Sequence, residues 1–109
     1  HPSRLITAVT ALDAAHPILT GVRLPFSSKM ELNKVSPLQA GAHPLLLGTL
    51  EGRPPEPVAW TFRHYGGGRT FFTPLGLPDD FAQPAFQRLF LNGIRWAAGL
   101  PLEAATSRK

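Results

Sequence analysis

The hydrophobic pattern changes period within residues 57–99, from the alternation of a strand to the spacing of a helix. Residues 57–74 alternate, with Val58, Trp60 and Phe62 on one face and the intervening side chains on the other. The glycines at 66–68 can supply the positive φ angles that a tight reversal requires. The pattern therefore predicts a β-hairpin over residues 57–74. A phosphate-binding loop is disfavoured, because no Lys-Ser/Thr pair and no helix follow the glycines.

An amphipathic helix is predicted from Pro84 to just before Gly99. Pro84 suits the first helical position, and Gly99 suits a left-handed cap. The helix has a wide apolar face, which is typical of a helix that lies on a sheet. The predicted buried stripe comprises Phe86, Leu89, Phe90, Ile94 and Ala97, while Arg88, Asn92 and Arg95 are expected toward the other side.

Shorter patterns precede the hairpin. Residues 5–9 form a β-prone run, and residues 30–35 alternate as a half-buried or edge strand does. Residues 45–50 are nearly all apolar, which predicts a strand buried on both faces. Around Pro17 and Gly21 we expect a turn-rich connection with one or two buried aliphatic side chains. Residues 103–109 are expected to be a C-terminal tail.

Composition narrows the class of protein. The 109 residues suit one small domain or part of a larger one, and 43% hydrophobic with 17% charged residues predicts a globular fold. Lysines and arginines are scattered despite a net charge of +4, so a nucleic-acid surface is not expected. No apolar run approaches the roughly 20 residues that span a bilayer, so a membrane partner is not expected either. The absence of cysteine excludes disulfides and a Cys nucleophile within this chain.

Candidate chemistry lies in the loop that joins the hairpin to the helix. Asp79 and Asp80 are the candidate catalytic residues, since a carboxylate there could bind a sugar hydroxyl or a metal, or transfer a proton. The alternative interpretation is a solvated loop or a helix cap. Phe81 could close over a ligand or simply staple the helix start. Most other aromatic side chains, including Trp60, Phe62 and Phe72, are interpreted as core packing rather than as a sugar-stacking platform.

The histidines do not predict a metal site or a cofactor. Their positions show no spacing of the H-x₃-H kind, so no metal ligand set is expected from this chain alone. His16 precedes Pro17 and is expected to be a turn residue. His64 lies on the face of Trp60 and is expected to be structural.

The order PVAW, YGGGRTFFT, PDDF and PAFQRLFLNGIRWAAG resembles the C-terminal part of the ThuA-like (trehalose-utilisation) family. The upstream segment His16-Pro17-Ile18 and residues 31–35 fit the same family. The resemblance implies a flavodoxin-like, class I glutamine amidotransferase-like α/β fold, of which residues 1–102 would supply only the C-terminal half. It also implies a role in trehalose or keto-sugar utilisation, with a small carbohydrate bound by Gly76, Leu77, Asp79, Asp80 and Phe81.

One departure from the family pattern affects the expected activity. The family commonly has Gly-His where this chain has Gly76-Leu77, and a leucine cannot transfer a proton. Two alternatives therefore stand beside a sugar-processing domain, namely a degenerate, non-catalytic sugar-binding or interaction module and an inactive domain fragment. Because half of a sheet would leave apolar surface uncovered, we also expect self-association or a separate N-terminal half-domain.

Overall fold

An antiparallel sheet of five strands, in the order β2-β1-β3-β4-β5, organises the computed structural model, which describes residues 6–101. A 3₁₀ turn (Pro17–Leu19) follows β1, and the helices α1 (Pro78–Phe81) and α2 (Pro84–Ala98) follow β5. The predicted α/β class, with a hairpin and a C-terminal helix on a sheet, is confirmed. All strand pairs among the described residues are antiparallel. The strands are β1 (Thr7–Ala11), β2 (Phe26–Ser28), β3 (Ala42–Thr49), β4 (Glu56–Arg63) and β5 (Arg69–Phe72).

The predicted hairpin is confirmed as β4 and β5. Thr61 pairs with Phe71, and the turn is closed by a 2.7 Å hydrogen bond from the His64 N–H to the Gly68 carbonyl. Gly66 and Gly67 have φ angles of +85° and +101°, which a residue with a Cβ rarely adopts. The glycine run therefore serves the chain reversal.

The strand predicted over residues 30–35 is wrong. This segment has no ladder partner, and side chains bind its backbone instead. The Thr7 hydroxyl donates to the Met30 carbonyl, and the Val35 N–H donates to Glu56. Leu32 is buried, so the apolar positions of the alternation anchor a loop rather than a strand.

Helix α2 has the predicted ends but a different buried stripe. Pro84 stands at its start, and Gly99 caps it in the left-handed conformation with φ +75°. Phe90 and Ile94 are exposed, whereas Asn92, which was expected on the outer side, is only 1% exposed. The helix is therefore rotated relative to the prediction, and a second apolar face remains open. The buried residues of α2 are Phe86, Leu89, Asn92, Gly93 and Trp96.

The core lies between α2, the 3₁₀ turn and one face of the sheet. Leu45 and Leu46 of β3 are fully buried, in agreement with the predicted central strand. Phe71 of β5 packs against this core, next to Gly93 of α2. Trp60 and Phe72, by contrast, lie on the opposite face of the hairpin, because side chains alternate along a strand. Within residues 6–101 no helix is long and apolar enough to cross a bilayer.

Candidate functional site

The loop that carries the predicted site is held together by Asp80. This carboxylate is 0% exposed, and its Oδ2 accepts hydrogen bonds from the backbone N–H groups of Gly76 and Leu77 at 2.9 and 3.0 Å. The Ser28 hydroxyl of β2 donates to the same oxygen at 3.1 Å. Asp80 is the third residue of α1, a position from which an acidic side chain satisfies N–H groups at a helix start. The structure thus gives Asp80 a capping and cross-linking role.

The other predicted site residues point to different environments. Asp79 is largely exposed and forms an ion pair with Lys29 at 3.0 Å. Phe81 makes edge contacts with Phe86 and Phe90 at ring-centroid distances of 4.9 and 5.3 Å, as a staple of the helix start would. Leu77 is exposed and brings no acid or base to the loop. The substrate-binding role of Gly76, Leu77, Asp79, Asp80 and Phe81 stays a prediction. Asp80 Oδ2 is satisfied within the fold, whereas Oδ1 of the same carboxylate is buried without a hydrogen-bond partner.

A second group of polar side chains meets at the end of the sheet where β1 and β4 end and β3 begins. We call it the histidine cleft, a cavity of about 300 Å³ beside the C-terminal half of α2. His43 on β3 pairs across the strands with Thr61 on β4, so the two side chains share a face of the sheet. Asp13 follows β1 and lies at the edge of the cleft, where its carboxylate contacts His43. The cleft is lined by His16, Gly41, His43, Thr61, Arg63 and Trp96.

Asp13 orients His43. The two side chains are joined by a 2.7 Å bond between His43 Nε2 and Asp13 Oδ2. With an ionised carboxylate as acceptor, Nε2 carries the proton, so Nδ1 is the basic nitrogen of the neutral ring. The hydrogen bond from His43 holds the pKa of Asp13 below its ordinary value of 3.8.

His16 presents the complementary nitrogen. It caps the 3₁₀ turn, and its Nδ1 accepts a hydrogen bond from the Ile18 N–H at 3.1 Å. The neutral ring therefore carries its proton on Nε2. Burial lowers the pKa of His16 below 6.5, while the Asp13 carboxylate opposes this effect. The positive charge of Arg63, and that of His43 whenever its ring is protonated, also lowers the pKa of His16. The His16 and His43 rings lie 5.8 Å apart between centroids.

Asn92 fixes the position of His16 from the helix. Its side-chain amide donates 2.8 Å hydrogen bonds to the carbonyls of Ile18 and Thr20, which flank the end of the 3₁₀ turn. Because Asn92 is buried, these bonds are shielded from water. Asn92, in the middle of α2, thus helps to tie the histidine turn to the helix.

Trp96 and two arginines complete the electrostatics of the cleft. The guanidinium groups of Arg69 and Arg63 lie 4.4 and 5.3 Å from the centre of the Trp96 ring, within the range of cation–π contacts. Arg63 lines the cleft together with His16 and His43 and places positive charge beside them. The cleft therefore combines one carboxylate, two imidazoles and positive charge that could stabilise developing negative charge on a ligand oxygen.

Sequence reasoning missed this cleft because its members are far apart in the chain. Asp13 and His43 are separated by 30 positions, and no short motif links them. The signal that could have found them is strand pairing: the N–H groups of Leu12 and Asp13 both donate to the Leu45 carbonyl, continuing the β1–β3 ladder. Among the residues that the structure describes, no three His, Cys, Asp or Glu side chains are arranged to hold a metal ion.

Comparison with known protein families identifies a relationship for this chain. The model of the family described as ThuA, trehalose utilisation, matches residues 1–97. No curated protein and no solved structure matches the chain. The family assignment therefore rests on the sequence profile, and it agrees with the resemblance noted from the motifs of residues 57–99.

Proposed function

Because the chain belongs to the ThuA, or trehalose-utilisation, family, we propose that it binds a small carbohydrate, trehalose or a keto sugar, in the histidine cleft. The observation that carries this proposal is the Asp13–His43 pair facing His16. A basic imidazole nitrogen and an imidazole N–H donor lie on rings only 5.8 Å apart. A sugar hydroxyl between them could donate to His43 Nδ1 and accept from the His16 Nε2 N–H.

The same arrangement suits proton transfer. His43, oriented by Asp13, would accept a proton from the sugar, and the His16 N–H would donate to an oxygen. The lowered pKa of His16 keeps it a neutral donor at pH 7, and Arg63 adds positive charge for an oxygen that becomes negative. The proposal therefore covers acid–base chemistry on a sugar, with the particular reaction left open.

Calorimetric titration with trehalose tests the proposal through a matched pair of variants. Asp13→Asn removes the negative charge that orients His43, whereas Asp79→Asn removes an exposed carboxylate from the loop of residues 76–81. We expect trehalose to bind Asp13→Asn at least about tenfold more weakly than the natural chain, since a charged hydrogen bond contributes about 1.5–3 kcal/mol. Asp79→Asn should bind trehalose as tightly as the natural chain does. If Asp79→Asn weakens binding and Asp13→Asn does not, the sugar binds at the loop of residues 76–81 and the cleft proposal is refuted.

A non-catalytic sugar-binding or interaction module is the second candidate. Leu77 favours it, because the loop has an aliphatic side chain where the family commonly has histidine. Asp80 Oδ2 is also occupied, by two backbone N–H groups and the Ser28 hydroxyl. Leu77→His separates the candidates. Gain of activity by this variant, when the natural chain has none, supports the degenerate module, whereas activity of the natural chain shows that another residue is the base.

We also propose that the described sheet belongs to a flavodoxin-like assembly completed by a second copy or by a complementary half-domain. Support comes from the family and from the open face of α2, where Phe90, Leu91 and Ile94 are exposed side by side. Light scattering on the purified chain tests the second copy. A dimer that Ile94→Ser converts to a monomer supports it, and a monomer with well-dispersed aromatic signals at all concentrations refutes it.

A further inference from the structure

The sheet face opposite α2 carries an open groove floored by aromatic rings. We call it the aromatic groove; its floor is Trp60, Phe62 and Phe72, and its volume is about 450 Å³. Trp60 and Phe72 are cross-strand partners with ring centroids 5.0 Å apart. Phe72 is 52% exposed, and the other two rings are half-buried. The interpretation of these rings as core packing is therefore wrong for Phe72 and only partly met by the others.

One wall of the groove is held in place by Glu56. Residues 35–39 form this wall, and Glu56 Oε1 accepts hydrogen bonds from the Val35 and Ser36 N–H groups, both at 2.9 Å, and from the Ser36 hydroxyl at 2.7 Å. Because one carboxylate oxygen fastens the start of the wall to β4, the groove is formed before any ligand arrives. A pre-formed concave shape is typical of small-molecule sites.

The chemistry of the groove favours an uncharged ligand with one flat apolar side. No Lys, Arg, Asp or Glu side chain is among the described residues that line it. Polar groups are confined to its edge, where His64 Nε2 and Thr70 Oγ1 are 2.8 Å apart and Gln39 contributes an amide. A sugar ring has this combination, since its axial C–H groups form an apolar face and its hydroxyls project around the rim.

The size of the groove also distinguishes a small ligand from a protein partner. Its volume falls within the roughly 300–1,000 Å³ of ligand pockets. A stable protein interface covers about 800 Å² on each partner, whereas this groove is a concavity lined by nine residues from β3, β4, β5 and the segments beside them. The floor of Trp60 and Phe72 is of the size of one sugar ring rather than of a helix.

We propose that the aromatic groove binds a neutral saccharide, with one pyranose face on Trp60 and Phe72 and its hydroxyls toward His64, Thr70 and Gln39. The saccharide class rests on the proposed function, but the location rests on the groove alone. The groove lies on the other face of the sheet from the histidine cleft, so the two sites can be tested separately.

Nuclear magnetic resonance titration with trehalose, and in parallel with glucose, tests the location. The chain has two tryptophans, so its spectrum contains two indole N–H signals, which Trp60→Phe assigns. Trp60 lines the groove and Trp96 lines the cleft. A saturable shift of the Trp60 signal is expected. If only the Trp96 signal shifts, or if neither shifts, the groove proposal is overturned.

Two leucine variants test the chemistry. Phe72→Leu keeps an apolar side chain but removes the ring, while Tyr65→Leu does the same at a fully exposed position in the hairpin turn. Phe72→Leu should weaken saccharide binding about fivefold or more, since ring stacking contributes beyond area burial, and Tyr65→Leu should leave it unchanged. Equal affinities of the two variants would overturn the proposal.

His43→Gln separates this proposal from the one for the cleft. Binding reported by the Trp60 signal that is lost in Phe72→Leu but kept in His43→Gln supports the groove, and the Trp96 signal reports the cleft independently. Binding reported by the Trp60 signal that is lost in His43→Gln but kept in Phe72→Leu overturns the groove. Sedimentation velocity adds one further outcome: if Phe72→Leu converts a dimer to a monomer and no saccharide binds, the groove is an interface between copies and the proposal fails.

Discussion

Replacing Gly93 by alanine should destabilise the protein, although alanine is the better helix former. Gly93 lies in the middle of α2 and faces β5. A Cβ atom at this position would lie 2.3 Å from Cδ2 of Phe71, with Cε2 at 2.5 Å and Cγ at 2.6 Å. Carbon atoms prefer separations of about 3.5–4.0 Å. The helix must therefore move away from the strand by more than about 1 Å, or the Phe71 ring must leave its place.

The sign of the effect follows from two opposing magnitudes. Alanine in place of glycine in a helix interior stabilises by about 1 kcal/mol. Forcing an extra carbon into a packed interface costs about 1–3 kcal/mol, and the clash here reaches Cγ of the ring, which is its least movable atom. The difference is a net loss of up to about 2 kcal/mol in the free energy of unfolding. For a domain of this size the loss corresponds to a melting temperature lower by roughly 4–8 °C for each kcal/mol.

Urea denaturation of a double-variant cycle is the appropriate assay. Gly93→Ala should lower the midpoint without changing the dependence on urea. In a Phe71→Ala background, where the ring is absent, the same Gly93→Ala change should stabilise by about 1 kcal/mol, because only helix propensity remains. If Gly93→Ala stabilises the protein in the natural background, α2 and β5 do not pack as described and the reasoning is refuted.

Three further predictions concern side chains that hold the histidine cleft, the loop of residues 76–81 and the wall of the aromatic groove in place. Asn92→Ala should lower the free energy of unfolding by about 1–3 kcal/mol, because a buried carbonyl of the 3₁₀ turn loses its donor. The same variant should shift the imidazole signals of the histidine cleft in a carbon–proton correlation spectrum. Unchanged signals would show that Asn92 does not position the turn. Asp80→Ala should cost about 1–3 kcal/mol for each unsatisfied donor, measured by urea denaturation, and a neutral result would argue against its capping role. The hydrogen bond from the Ser36 hydroxyl makes the largest contribution to lowering the pKa of Glu56 from 4.5 to about 2, and the Val35 and Ser36 N–H groups act in the same direction. Since the folded pKa lies below the unfolded one, this stabilisation is complete above about pH 4.5 and is lost as the pH falls toward 2. Glu56→Gln should flatten the stability profile in that range, whereas the exposed control Glu51→Gln should follow the natural protein.

Local pattern was sufficient for the hairpin and the ends of the helix. Alternation defines a strand pair, consecutive glycines allow the reversal, and Pro84 and Gly99 limit α2 through their own backbone preferences. These features depend on residues only a few positions apart. The family motifs lie in the same stretch, which is why the resemblance could be stated from the sequence and was confirmed by the family match over residues 1–97.

Tertiary structure decided everything that joins distant parts of the chain. The rotation of α2 that buries Asn92 depends on carbonyls more than 70 positions away, and the alternation of residues 30–35 became a loop because Glu56 binds its backbone. The Asp13–His43 pair exists only because β1 and β3 are neighbours in the sheet. The aromatic rings of β4 and β5 became a groove because one face of the hairpin is covered by α2 and the other is not. Periodicity specifies that a side chain lies on a face, but the partner on that face is specified only by the packing of the whole fold.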